Sequence, residues 1–228
     1  MSSRRFPRSA SLLRYGPSIP VFNILVIVLA FGLLAAPAPA AAGEPVILAL
    51  GDSLTAGYGV APRDAFPVQL EAALRRARVP ARVINGGVSG DTSAGGLARI
   101  DWLLEEIPDL AIIELGANDG LRGLDPAVTS DNLDRIIVRF RDAGVHVLLT
   151  GMRAPPNLGA EYGAAFDAMF GELARRHDTA FYPFFLDGVA GKPTLNQADG
   201  IHPTAEGVAV IVGNMLPVVV GALQEARR

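Results

Sequence analysis

Val46-Ile47-Leu48-Ala49-Leu50-Gly51-Asp52-Ser53-Leu54-Thr55-Ala56-Gly57-Tyr58-Gly59 decides the architecture, because five apolar residues end on a glycine and turn-forming polar residues follow at once. So short an apolar run, bounded by turn residues, reads as a buried strand. The same grammar recurs at 81–84, 110–115, 146–150 and 181–185. Between these runs, residues 65–77, 93–106, 129–143, 160–177 and 204–226 carry apolar side chains at helical spacings of three and four. In the first of them Phe66, Leu70, Leu74 and Ala77 line one side, while Glu71, Arg75 and Arg76 can face water. Strand followed by helix, five times over, predicts an α/β fold with a five-stranded parallel sheet and helices on both faces. Ligands of such sheets bind beyond the carboxyl ends of the strands, so the residues just after each strand carry the functional reading.

Composition narrows the field further. The chain has 228 residues, 50% hydrophobic and 19% charged, which fits one folded domain and excludes disorder and fibrous repeats. Its formal charge is −3, and with the four arginines of residues 1–42 set aside the remainder carries −7. An acidic body argues against nucleic acid as a partner. There is no cysteine, hence no disulfide, thiolate metal site or thiol nucleophile.

Arg4, Arg5, Arg8 and Arg14 precede an almost wholly apolar stretch from 21 to 36, and alanine and proline follow. Sixteen helical residues reach about 24 Å, short of the ~30 Å hydrocarbon core. Residues 1–42 therefore read as a secretory signal peptide, with several small-x-small cleavage sites, and residues 43–228 as the mature domain. The expected location is periplasmic or secreted, without stable membrane insertion after processing. Retention of the leader as an anchor is the alternative.

Ser53 falls at the carboxyl end of the first strand, where a nucleophile is accessible and a helix N-terminus would favour negative charge. The plain alternative is a tight turn in which Asp52 or Ser53 caps a helix. A serine nucleophile needs a base, and the chain has three histidines. His146 opens a strand and His177 closes a helix, positions with structural explanations. His202 differs, since Asp199 stands three residues before it, one bend away from Nδ1, so that Nε2 is left to take a proton from serine. The alternative there is an Asx turn with Thr204 capping the last helix. After the second and third strands, Asn85-Gly86-Gly87-Val88-Ser89-Gly90-Asp91-Thr92-Ser93 and Gly116-Ala117-Asn118-Asp119-Gly120 offer the Gly90 N–H and the Asn118 side-chain amide. With the Ser53 N–H they form a candidate oxyanion hole.

Gly51-Asp52-Ser53-Leu54, Ser89-Gly90-Asp91-Thr92, Gly116-Ala117-Asn118-Asp119 and Asp199-Gly200-Ile201-His202-Pro203 resemble, in order, the four blocks of the SGNH or GDSL hydrolases. The resemblance spans 46 to about 204, and is strongest to the bacterial branch of thioesterases, lysophospholipases and arylesterases. It implies a flavodoxin-like three-layer sandwich that uses no metal and no cofactor. It implies Ser53 as nucleophile, His202 as base, Asp199 as its orienting partner, and an oxyanion hole of Ser53, Gly90 and Asn118. The loop from 152 to 162 stands where the family's acyl-contacting loop lies, which makes Met152, Pro155 and Tyr162 candidate substrate contacts. Ala117 departs from the glycine common there and narrows the pocket.

The implied reaction is hydrolysis of a small acyl or aryl ester, or a thioester, through an acyl-enzyme on a monomeric protein. A carbohydrate acetylesterase of the same fold is the alternative, although the single tryptophan, Trp102, gives little aromatic platform for sugars. Three other classes fit less well. Asp-Ser-Leu also marks serines that carry a phosphopantetheine arm, but those domains are small and helical. A two-metal phosphoesterase would need more histidines beside Asp52, Asp91, Asp119 and Asp199. A noncatalytic binding protein would keep the pocket yet ignore an organophosphate.

Overall fold

Five parallel strands, β1 (Val46–Gly51), β2 (Arg82–Gly87), β3 (Leu110–Glu114), β4 (His146–Thr150) and β5 (Ala180–Tyr182), lie side by side in the order β2-β1-β3-β4-β5 in the computed structural model. It describes residues 43–228. The signal-peptide reading of residues 1–42 lies outside the described residues. All five residues of β3 are buried, as are the last five of β1, because helices cover both faces. Strand order reverses between β1 and β3, and the register pairs Gly51 with both Gly87 and Glu114. Three strands thus end level on one rim, and the turns leaving them begin beside one another.

The helices are α1 (Ser53–Ala56), α2 (Phe66–Arg76), α3 (Ser93–Ala98), α4 (Ile100–Leu103), α5 (Ala117–Leu121), α6 (Pro126–Asp142), α7 (Ala160–His177) and α8 (Ala205–Glu225). α2 packs on α8, while α6 packs on both α3 and α7. The apolar stripe read in residues 65–77 is the buried face of α2, with Phe66, Leu70, Ala73 and Leu74 inside. Phe66 meets Phe185 edge-on at 5.1 Å, and Phe166 meets Phe170 at 5.5 Å, so aromatic rings fill the space under the sheet. α8 is long and apolar enough to cross a membrane, yet it packs on α2, β4 and β5 as a core helix.

Three departures from the expected elements have local causes. The stretch 93–106 breaks into α3 and α4 at Arg99, whose guanidinium is drawn to the Asp91 carboxylate at 2.8 Å and the Gly51 carbonyl at 3.0 Å. The strand expected over 181–185 ends at Tyr182, since Pro183 has no N–H to donate, and Phe185 donates instead to the Gly151 carbonyl at 2.9 Å. Single helical turns, Ser53–Ala56 and Ala117–Leu121, form where the sequence shows turn-forming residues after β1 and β3.

Candidate active site

The turn after β1 is dictated by what crosses it. A Cβ on Gly51 would fall 2.1 Å from Thr55 Oγ1 and 2.5 Å from Glu114 Oε2, so only glycine fits. Asp52 caps α1, accepting the Leu54 N–H on Oδ1 at 3.0 Å, and Ser53 is the first helical residue. With four residues, α1 has little macrodipole, so the favourable field expected at Ser53 reduces to individual backbone N–H groups.

Ser53 Oγ lies 2.9 Å from His202 Nε2, and His202 Nδ1 lies 2.7 Å from Asp199 Oδ2. Asp199 Oδ1 accepts the backbone N–H groups of Ile201 at 2.9 Å and His202 at 3.0 Å. Those N–H bonds, the His202 one first, hold the Asp199 carboxyl down at about 2. A carboxylate only accepts, so Nδ1 carries the hydrogen facing it and, in the neutral ring, Nε2 is an acceptor for the serine hydroxyl. The Tyr58 ring covers the imidazole, centroids 4.6 Å apart. The Asx turn and the Thr204 cap weighed as alternatives also form, the latter with the Gly207 N–H at 3.2 Å. Capping and side-chain placement coexist in the same segment.

Beneath Ser53 lies a buried carboxyl pair. Glu114 Oε2 accepts the Thr55 hydroxyl at 2.8 Å and the Asp52 N–H at 3.3 Å, while Glu114 Oε1 is buried with no partner. Burial, then the nearby Asp52 charge, drives the Glu114 carboxyl well above the usual carboxylate range. Asp52 is pushed up to about 6, by burial against the pull of the Leu54 N–H and the Asn118 amide. Sequence reasoning missed Glu114; its only signal was a carboxylate closing an otherwise apolar run.

The Ser53 and Gly90 N–H groups have no protein acceptor among the described residues. Gly90 sits at φ +86° with open space where a Cβ would stand, so the turn's left-handed backbone rather than crowding asks for glycine. Asn118 reaches the same rim from α5, but its Nδ2 gives hydrogen bonds to Asp52 Oδ2 and the Asp91 carbonyl, each at 2.9 Å. Both hydrogens are engaged, and serving an oxyanion requires one to turn away from these partners. Asp119 is wholly buried and accepts from Ser93 N at 2.8 Å, Ser93 Oγ at 2.6 Å and Thr129 Oγ1 at 3.2 Å. It fastens α5 to α3 and α6 and is not a surface turn residue.

A cavity of about 440 Å³ opens beside Ser53 and His202. Met152 and Pro155 line it, with Leu121, Ala154, Phe184 and Ile201, which sequence reading did not single out. Tyr162 is not in its lining: the Tyr162 hydroxyl donates to the Leu124 carbonyl at 2.7 Å and its ring stacks on Phe166 at 5.9 Å. Helical periodicity could place it on α7 but could not say which neighbour claims it. A second cavity of about 480 Å³ adjoins through Gly191, Asn196 and Gly200 and is walled by Lys192, Pro193 and Gln197. Of the other histidines, His177 Nε2 pairs with Asp134 at 2.8 Å, joining α7 to α6, and His146 is exposed at the start of β4. Among the described residues, no three His, Asp or Glu side chains gather as a metal site requires.

Comparison with known proteins agrees with this geometry. The profile of the GDSL-like lipase/acylhydrolase family matches residues 49–210. Esterase TesA of Pseudomonas aeruginosa is 42% identical over 179 residues, 78% of this chain and 89% of that protein. An arylesterase of Vibrio mimicus is 42% identical over 187 residues, covering 82% and 92%. The thioesterase 1/protease 1/lysophospholipase L1 of Escherichia coli K12 is 40% identical over 167 residues, covering 73% and 79%. A crystal structure of TesA superposes with a TM-score of 0.74 at 42% identity, over 78% of this chain and 99% of that one. With a five-stranded parallel sheet, a serine at its rim and family similarity through most of its length, the chain belongs to the GDSL-like lipase/acylhydrolases, hydrolases of ester bonds.

Proposed function

We propose that this protein is a serine esterase that cleaves small acyl or aryl esters and thioesters through an acyl-enzyme on Ser53. The observation that carries the reading is the chain of contacts from Ser53 Oγ to His202 Nε2 at 2.9 Å and from His202 Nδ1 to Asp199 at 2.7 Å, beside an apolar cavity. Ser53 Oγ attacks the acyl carbonyl while Nε2 takes its proton; the imidazolium then gives that proton to the leaving oxygen or sulfur. Water repeats the sequence on the acyl-enzyme. Asp199, ionised across the working range, keeps Nδ1 protonated and stabilises the imidazolium. The Ser53 and Gly90 N–H groups meet the developing oxyanion, and the Asn118 amide joins them by releasing Asp52 or the Asp91 carbonyl.

The apolar lining supports acyl or aryl substrates over acetylated sugars, since Trp102 stands on α4 and takes no part in the cavity. The arginine-rich leader supports export to the periplasm or beyond. A fluorophosphonate is expected to attach one adduct, mapped by mass spectrometry to Ser53; an adduct elsewhere removes the assignment. Parallel turnover of acyl-CoA, lysophosphatidylcholine, phenyl acetate and acetylated xylan, with Ser53→Ala as blank, sorts the substrate classes, and a preference for xylan overturns the acyl-ester reading. Asn118→Ala is expected to lower kcat by about 10² to 10³ with little change in KM. A change under about threefold leaves Asn118 as a strut for Asp52 and the Asp91 loop.

A further inference from the structure

The Ser53–His202 contact joins two loops that approach from distant parts of the chain, and something must hold those loops at a fixed separation. The first runs on from α1 through Gly57 and Tyr58. Its geometry is tied to the nucleophile, because the Tyr58 N–H donates to the Ser53 carbonyl at 3.0 Å. The second carries Asp199 and His202 between Asn196 and Thr204. It is closed on itself by the Asn196–Pro203 bridge and by the Gln197 N–H, which donates to the His202 carbonyl at 2.7 Å.

One side chain crosses between them. Gln197 Nε2 donates to the Tyr58 carbonyl at 2.8 Å and to the Pro203 carbonyl at 3.0 Å, so a single amide uses one hydrogen on each loop. The crossing is close. A Cβ on Gly59 would lie 2.1 Å from Gln197 Oε1, and Gly59 takes φ +74°, so the first loop is shaped around this side chain. Tyr58, held by its carbonyl, lays its ring over the His202 imidazole at 4.6 Å.

We infer that Gln197 is a positioning residue for the reaction: its amide sets the separation of the serine and histidine loops and, through Tyr58, the tilt of the His202 ring. The bonds form a closed circuit, from Ser53 through Tyr58, Gln197 and His202 back to Ser53, and Gln197 is its side-chain link. Serine and histidine act at hydrogen-bond reach, and a misplacement of about 1 Å costs on the order of 10²-fold in rate. The inference rests on the reading of Ser53 and His202 as nucleophile and base.

The test uses Gln197→Met, which keeps bulk without donors, and Gln197→Glu, which keeps the shape but turns a carboxylate toward two carbonyl oxygens. Hydrolysis of p-nitrophenyl butyrate, thermal melting and the His202 ring proton resonances are measured on both, with Ser53→Ala alongside. Both variants are expected to melt cooperatively and to lose about tenfold to hundredfold in kcat, with KM within about twofold. The His202 resonances are expected to move as the Tyr58 ring loses its register. A kcat within about twofold of the parent in either variant overturns the assignment, and failure of both to fold makes Gln197 a stability element and does the same. If Ser53→Ala also keeps its turnover, it is the nucleophile assignment that has failed; if Ser53→Ala is dead while the Gln197 variants are fully active, only the role of Gln197 falls.

Discussion

His202→Ala is expected to lower kcat for p-nitrophenyl butyrate by about 10⁴ to 10⁶, as far as Ser53→Ala does, and the double variant is expected to fall no further. The reason lies in the 2.9 Å contact between Ser53 Oγ and His202 Nε2. Without a base the serine stays a neutral alcohol, and without the serine the imidazole has no alcohol to activate, so the two deletions remove one function. Additive losses would mean that the groups act independently and that another residue attacks the carbonyl. The loss in Asp199→Ala is expected to be smaller than in His202→Ala. The Asp199 side chain is 39% exposed, and water reaches the position from which it steadies the ring. Steady-state rates on purified variants, at protein concentrations set by absorbance and with folding checked by cooperative melting, decide the ranking.

Replacing Glu114 is expected to give the largest effect away from the reacting atoms. Glu114→Ala removes the acceptor of the Asp52 N–H and the Thr55 hydroxyl and opens space under the serine turn. Emptying a buried site of this size costs about 2–5 kcal/mol, and a further ~1–3 kcal/mol attends each buried donor left without an acceptor. Thermal melting should show a large drop, and kcat should fall as the turn loosens.

Glu114→Gln separates shape from charge. Both native carboxyls have folded-state values above their unfolded ones, Asp52 at about 6 and Glu114 higher than its ordinary range. A raised acid binds its proton more tightly in the folded chain, so its stabilisation is complete at low pH and is lost as pH climbs through the folded value. Glutamine cannot ionise. The melting temperature of Glu114→Gln, compared with the parent, is therefore expected to rise steadily from about pH 4.5 upward, while the two proteins stay close below that. A difference independent of pH would place the negative charge of Glu114 outside the energetics of the turn.

What could be read in the sequence was what is local. Asp199 and His202 share one bend, and the Gly51-Asp52-Ser53 turn follows a strand whose apolar run is unmistakable, so both were legible together with the rim on which they meet. The alternation implied a parallel sheet with covered faces but not its order, and the switch point between β1 and β3 depends on pairings between strands far apart in the chain. Residues whose meaning depends on a distant partner were not legible. Glu114 reads as the end of a strand until Thr55 and the Asp52 N–H are seen to lean on it across the sheet. Asp119 is one polar residue among glycines until Ser93 and Thr129 are seen to donate to it, and Arg99 lies inside a stretch of helical spacing until it is seen bending toward Asp91. The placement of Tyr162 depends on a distant partner in the same way, since the Leu124 carbonyl that takes its hydroxyl lies 38 positions away. The Asn118 amide was anticipated at the rim, but its two existing acceptors were not.

Lys192 is the one lysine in the sequence, and it stands in the wall of the cavity that adjoins the one beside Ser53 and His202. Apart from the chain's α-amino group, amine-reactive reagents have that one side-chain target. A carrier bead coupled through lysine would hold the protein with the rim that bears Ser53 turned toward the bead, whereas a small dye on the same nitrogen would report from the cavity next to the one at Ser53. Anchoring at the opposite rim, where Gly144 and Asp178 turn the chain before β4 and β5, would leave the mouth facing solvent.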